Sequence, residues 1–183
     1  MITALLLAAS LLPAHATDWE PLHRRQRATQ LAGMSTLGGF AMVNIAGGTV
    51  GAATARTERG RWFYGGSAVW NTVNLGLAVP GYLRARREEP GSLGGQQLLR
   101  AGNKQEKIYL ANAGLDVAYV VGGFFLREHG LRTGDERFVG LGEALWLQGG
   151  FLFLFDATMF ALHAAIDHDL QVALTPAGVD IRF

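Results

Sequence analysis

The sequence predicts an all-α membrane protein, a four-helix transmembrane bundle running up-down-up-down, with room for a short C-terminal β-hairpin. Three observations predict it. Of the 183 residues 49% are hydrophobic and only 17% charged, too little charge for a water-soluble domain of this size. Four stretches, residues 28–55, 62–83, 108–126 and 144–166, hold no charge beyond one Asp in each of the last two. Each reaches the length of about 20 residues that crosses a hydrocarbon core. The segments between them are short or modest, which makes neighbours antiparallel.

Taken in order, the first element is the apolar leader Met1–Ala16, MITALLLAASLLPAHA, which ends in the small-x-small pattern Ala14-His15-Ala16. It reads as a signal peptide, with the mature chain starting at Thr17, although Met1-Ile2-Thr3 lacks the basic residue such leaders carry. A retained short helix is the alternative. Residues 17–170 then form the four-helix domain, and 171–183 the tail. Pro80 is expected to kink or end the second helix, and Pro90-Gly91 with Gly94-Gly95 to break the loop after it. Within that loop Gln96–Arg100 reads as a short interfacial helix. In the tail, Gln171–Leu174 and Val179–Phe183 flank the turn residues Thr175-Pro176-Ala177-Gly178, the pattern of a small hairpin. Orientation stays open. A cleaved leader puts the loop holding Arg84, Arg86, Arg87, Arg100, Lys104 and Lys107 outside, whereas the positive-inside rule prefers it inside.

Polar side chains within the spans fall on stripes. At 100° per residue, Asn112, Asp116, Tyr119 and Gly123 share one face of the third helix, and Gly114, Ala118 and Gly122 share another that reads as a packing seam. Ser67, Asn71, Asn74 and Ala78 align on the second helix, and Gln148, Leu152, Asp156, Met159 and His163 on the fourth. Asn44 shares the small-residue face Leu37, Ala41, Gly48, Gly51, Ala55 of the first. The stripes are expected to face one another across the interior. A carboxylate at mid-span costs about 2.5–3.5 kcal/mol and each Leu or Phe returns about 0.3–0.6, so GGFLFLFDATMF, Gly149–Phe160, carries Asp156 inside. Interhelical hydrogen bonds average only about 0.6 kcal/mol, so one such bond does not offset an Asp. The candidate site residues are therefore Asn44, Asn71, Asn74, Asn112, Asp116, Tyr119, Gln148 and Asp156, as a polar core or a ligand-binding set. Intramembrane carboxylates are functional candidates, while the amides serve equally as glue between helices.

Several chemistries are disfavoured. A net charge of +1 and no basic stripe give no reason to expect nucleic acid. The absence of cysteine removes disulfides and thiolate sites. Gly47-Gly48-Thr49-Val50-Gly51 lacks the Gly-Lys-Ser/Thr ending of a P-loop. With His163 the sole span histidine, haem is not expected, and no cofactor is predicted. His163, Asp167, His168 and Asp169 have the residue types of a metal site but read better as a solvated helix end. Trp62, Tyr64, Tyr82, Tyr109 and Trp146 read as interfacial belt or packing residues rather than a cofactor box.

The segments LAGMSTLGGFAMVNIAGG (Leu31–Gly48), WNTVNLGLA (Trp70–Ala78), NAGLDVAYVVGG (Asn112–Gly123) and LQGGFLFLFDATMF (Leu147–Phe160) resemble an uncharacterised family of small bacterial multi-pass membrane proteins. The resemblance implies a multi-pass protein of the bacterial inner membrane and supplies no activity. Expected partners are membrane lipid, a small polar ligand and a second copy of the chain. The leading expectation is a non-enzymatic bundle that binds a small ligand or serves as an interaction module. The alternatives are a proton- or cation-linked transporter using Asp116 and Asp156, and an enzyme using them as acid and base.

Overall fold

The computed structural model describes residues 18–175. Both the leader Met1–Ala16 and the second half of the expected hairpin lie outside the described residues. Four helices make up the fold: α1 Glu20–Thr54, α2 Glu58–Arg87, α3 Gly95–Thr133 and α4 Glu136–Leu174. Local chemistry sets their ends. Pro21 occupies the first turn of α1, where a missing N–H costs nothing. The Thr57 hydroxyl accepts from Gly60 N at 3.1 Å to start α2, and Gln97 Oε1 accepts from Gly94 N at 3.2 Å to start α3. Gly134, at φ 71°, ends α3 in the left-handed region that favours glycine, and Asp135 at once caps α4 by accepting from Arg137 N at 3.0 Å.

The helices are 30 to 39 residues long, about 45–58 Å, and so outrun the apolar stretches that announce them. Three expectations change accordingly. Gln96–Arg100 is the start of α3, not a separate interfacial helix. Pro80 sits inside α2 without ending it; the carbonyl of Gly76 loses its intrahelical donor and the helix continues to Arg87. Gln171–Leu174 is the last turn of α4, with Thr175 N donating to Gln171 O at 3.0 Å, so it is no strand of a hairpin. The physical reason is that Ile166 and Leu170 pack against Leu98 of α3, whereas an isolated two-stranded ribbon has nothing to pack on.

α4 is the hub of the bundle. α3 lies antiparallel along it, α2 packs against it in parallel, and α1 pairs with α2 and reaches α4 along a narrower strip. Chain order therefore runs up-down-up-down. Close approach of α3 and α4 depends on glycine: a Cβ on Gly123 would stand 2.5 Å from Trp146 N and 2.7 Å from Gly142 O. The Gly114/Ala118/Gly122 row, expected to be the packing seam, faces away, and a Cβ on Gly114 meets nothing. α3 has one neighbour helix along its length, and its polar face is the one that neighbour covers.

At one end Glu143 accepts from both Arg59 and Arg127, joining α2, α3 and α4. The other end carries the exposed pairs Arg24–Glu20 and Arg25–Asp169, and between the two ends the outside of the bundle is apolar: Val43, Val69, Phe125 and Leu154 are each about two-thirds exposed or more, while Asn71, Gln148, His163 and Asp167 are buried. That reverses the pattern of a helix bundle in water. Helices α1, α3 and α4 are long and apolar enough to cross a membrane. α2, although uncharged over residues 62–83, falls short because Trp, Tyr, Asn, Thr and Pro dilute its apolar content.

Candidate functional site

Two polar zones lie inside the bundle, and the stripes build both. The first is a chain of amides. Gln148 on α4 donates to Asn44 Oδ1 on α1 at 3.2 Å and accepts from Asn71 Nδ2 on α2 at 3.0 Å; Asn74 Nδ2 in turn donates to Asn71 Oδ1 at 3.2 Å. Asn71 also donates to Ser67 O at 2.8 Å, and Asn44 to Phe40 O at 2.9 Å. These bonds tie three helices at one level, which is what buried amides with two donors and two acceptor sites do when no water is available. Asn44, Asn71, Asn74 and Gln148 are thus brought together as a structural knot.

The second zone is a cleft. Because α2 and α3 both lean on α4 and their backbones do not run close together, a space of about 510 Å³ opens between them. It runs from Arg84 and Gln105, near the α2–α3 turn, to Trp70 and Tyr119, whose rings meet edge to face at 4.8 Å and close the deep end. Asp116 and Asn112 of α3, Asp156 of α4 and Asn74 of α2 contribute its polar lining; Met34, Leu37, Val73, Leu77, Leu115, Leu152 and Phe155 contribute the apolar part. Asp116 is 3% exposed and Asp156 5%. The Asp156 carboxyl lies beside both the Asp116 carboxyl and the Asn112 amide. Asp116 Oδ2 and Trp70 Nε1 have no hydrogen-bond partner. Asn112, Asp116, Tyr119 and Asp156 are thus gathered in the cleft, and Asn74 alone belongs to both zones.

A larger groove of about 630 Å³ between α1 and α4 is lined by Ala28, Gly33, Phe151, Leu154, Met159 and similar residues, with no ionisable group. Size alone does not make it the site, because the polar groups of its lining are the threonines Thr29, Thr36 and Thr158, with no amide or carboxyl among them.

Further buried polar groups escaped the sequence reading. Of the two readings of Tyr109, belt or packing, the structure shows packing: it is buried, donates from its hydroxyl to Gln30 Oε1 at 3.0 Å and stacks on His163 at 5.5 Å. His163 and Asp167 are buried rather than solvated, and Asp167 fits only because Gly102 of α3 has no side chain to meet its carboxyl. His168 and Asp169 turn outward, since they follow Asp167 by one and two residues on a helix with 3.6 residues per turn. The four residues therefore split between two faces, and among the described residues no three His, Cys, Asp or Glu side chains are grouped to hold a metal ion. His23 and Gln26 of α1 are buried at the same end. The signal was available: His23, Gln26, Gln30, Met34, Leu37 and Ala41 keep the 3–4 spacing of one helical face, but His23 and Gln26 precede the apolar stretch.

Comparison with curated proteins and with solved structures gives no match. A family of unknown function (DUF6992) matches residues 36–157, about two thirds of the chain. The matched segment holds all eight candidate residues and both carboxyls of the cleft. The chain belongs to this family of unknown function.

Proposed function

We propose that the chain is an integral membrane protein with all four helices across the bilayer, and that its lateral cleft binds a small amphipathic ligand. The carrying observation is the cleft itself: an opening between two neighbouring helices, apolar along most of its wall and polar at its floor. An apolar pocket with a few convergent polar groups is the usual form of a small-molecule site. The uncharged stretch 62–83 of α2 supports the four-span reading, because it fills one side of a bundle whose other three helices are apolar enough to span.

The test uses protein in phosphatidylcholine nanodiscs and a dansyl probe on a dodecyl chain with a hydroxyl head. The reading expects saturable binding at one site per chain, abolished when Leu77→Trp and Leu115→Trp fill the cleft. Linear partitioning, the same with and without the filling substitutions, would overturn it. A second reading, a proton- or cation-linked transporter, draws on the adjacent carboxyls of Asp116 and Asp156. Its measurement is flux in proteoliposomes, and indifference to an imposed pH or cation gradient would end it.

A further inference from the structure

The geometry points to an amphipathic amine, an ammonium head on an apolar body, as the ligand of the cleft. This rests on the cleft reading above and adds the chemistry of the guest. Three features of the lining converge on a cation with N–H donors. Two carboxyls stand together at the floor, both nearly inaccessible, so their ionised form lacks the water that would otherwise stabilise it.

Asp116 Oδ2, unpartnered and buried, is an acceptor awaiting a donor. No side chain donates to it, and the one cationic side chain in the lining, Arg84, sits at the mouth with Glu88 beside it, Arg84 Nε to Glu88 Oε1 being 3.9 Å. Buried charge without a partner is costly, and an incoming ammonium removes that cost. The third feature is the aromatic wall. Trp70, Tyr109 and Tyr119 line the same cleft, and aromatic faces attract an ammonium, the more so when it is desolvated. Above them Val73, Leu77 and Leu115 line the part of the cleft that an alkyl or aryl body would occupy. An anionic or neutral amphiphile would satisfy the apolar wall but leave the floor unanswered.

The experiment compares three probes that share one dansyl-dodecyl body and differ in the head: primary ammonium, hydroxyl and carboxylate. Each is titrated against reconstituted protein in zwitterionic nanodiscs, with partitioning into empty nanodiscs subtracted. The ammonium probe is expected to bind at least tenfold more tightly than the hydroxyl probe, and the carboxylate probe more weakly than either. Asp116→Asn with Asp156→Asn is expected to bring the ammonium probe down to the hydroxyl value while leaving the hydroxyl probe unchanged, which also reports that the variant is folded. If ammonium and hydroxyl probes saturate with equal affinity, the cleft reading stands and the amine inference is wrong. If none of the three saturates, both are wrong. An ammonium preference that survives the double substitution would likewise overturn the inference, because the carboxyls would not be its source.

Discussion

Replacing Gly123 by Ala adds one methyl at the tightest point of the α3–α4 contact. The new Cβ would lie 2.5 Å from Trp146 N, 2.7 Å from Gly142 O and 2.8 Å from Trp146 Cβ. Non-bonded carbon contacts settle near 3.5–4.0 Å, so the helices must part by roughly 1 Å over that turn. Two of the three atoms are backbone and cannot swing aside. Overpacking of this kind costs about 1–3 kcal/mol, while exchanging Gly for Ala in a helix interior returns up to about 1 kcal/mol. The expected net is a loss of about 1–2 kcal/mol. Gly114→Ala is the matched control: it gains the same helical preference and meets no atom, so it is expected to be neutral or mildly stabilising. Unfolding in mixed micelles, followed by helical circular dichroism against denaturant mole fraction, gives both numbers. Equal stability of the two variants would refute the assignment of the helix contact to the Gly123 face, and a penalty at Gly114 alone would restore the Gly114/Ala118/Gly122 seam.

Other consequences are as specific. Gln148→Leu severs the bonds to Asn44 and Asn71 at once and is expected to cost about 2–4 kcal/mol, from two interhelical bonds at about 0.6 kcal/mol each plus about 1–3 kcal/mol for the Asn44 oxygen left unpaired; a variant as stable as the parent would show that the knot contributes nothing. Thr57→Ala removes the acceptor that starts α2 and is expected to cost about 1 kcal/mol, whereas Thr57→Asp keeps an acceptor and is expected to cost little. The hydrogen bond from Arg137 holds the Asp135 carboxyl below its ordinary range. A group whose folded value is depressed adds stability above its unfolded value and loses it as the pH falls through the folded one. Asp135→Asn is therefore expected to flatten the acid side of the stability profile below the ordinary Asp range and leave its alkaline side alone; an unchanged acid slope would contradict this.

Residues that the structure buries explain what could be read in advance. The stripes Ser67–Asn71–Asn74–Ala78 and Gln148–Leu152–Asp156–Met159–His163 are buried throughout, because a polar side chain in an apolar helix has few places to go but inward, and its helical phase follows from spacing alone. Helix ends were less visible. Apolar content marks the hydrocarbon-length middle of a helix, yet α1 begins at Glu20 and α3 at Gly95, so His23 and Gln26 fell outside the search. Gly114 and Gly123 show a different limit. Both are small residues on a regular face of one helix, and only the position of α4 decides which of them is pressed against a backbone. The cleft is likewise a property of how α2 and α3 splay on α4, which no single helix encodes.

Cysteine protection tests the cleft most directly, because the chain has no native cysteine to interfere. Val73→Cys and Leu115→Cys place a thiol on each wall, and Gly114→Cys places one on the face of α3 turned away from α4. Labelling by a membrane-permeant maleimide is measured in nanodiscs with and without the dodecyl probe. The account predicts that the probe slows labelling at positions 73 and 115 by the occupancy that its binding curve gives, with position 114 unaffected. Equal rates at all three positions, at probe concentrations that saturate the protein, would mean that the guest does not lie between α2 and α3.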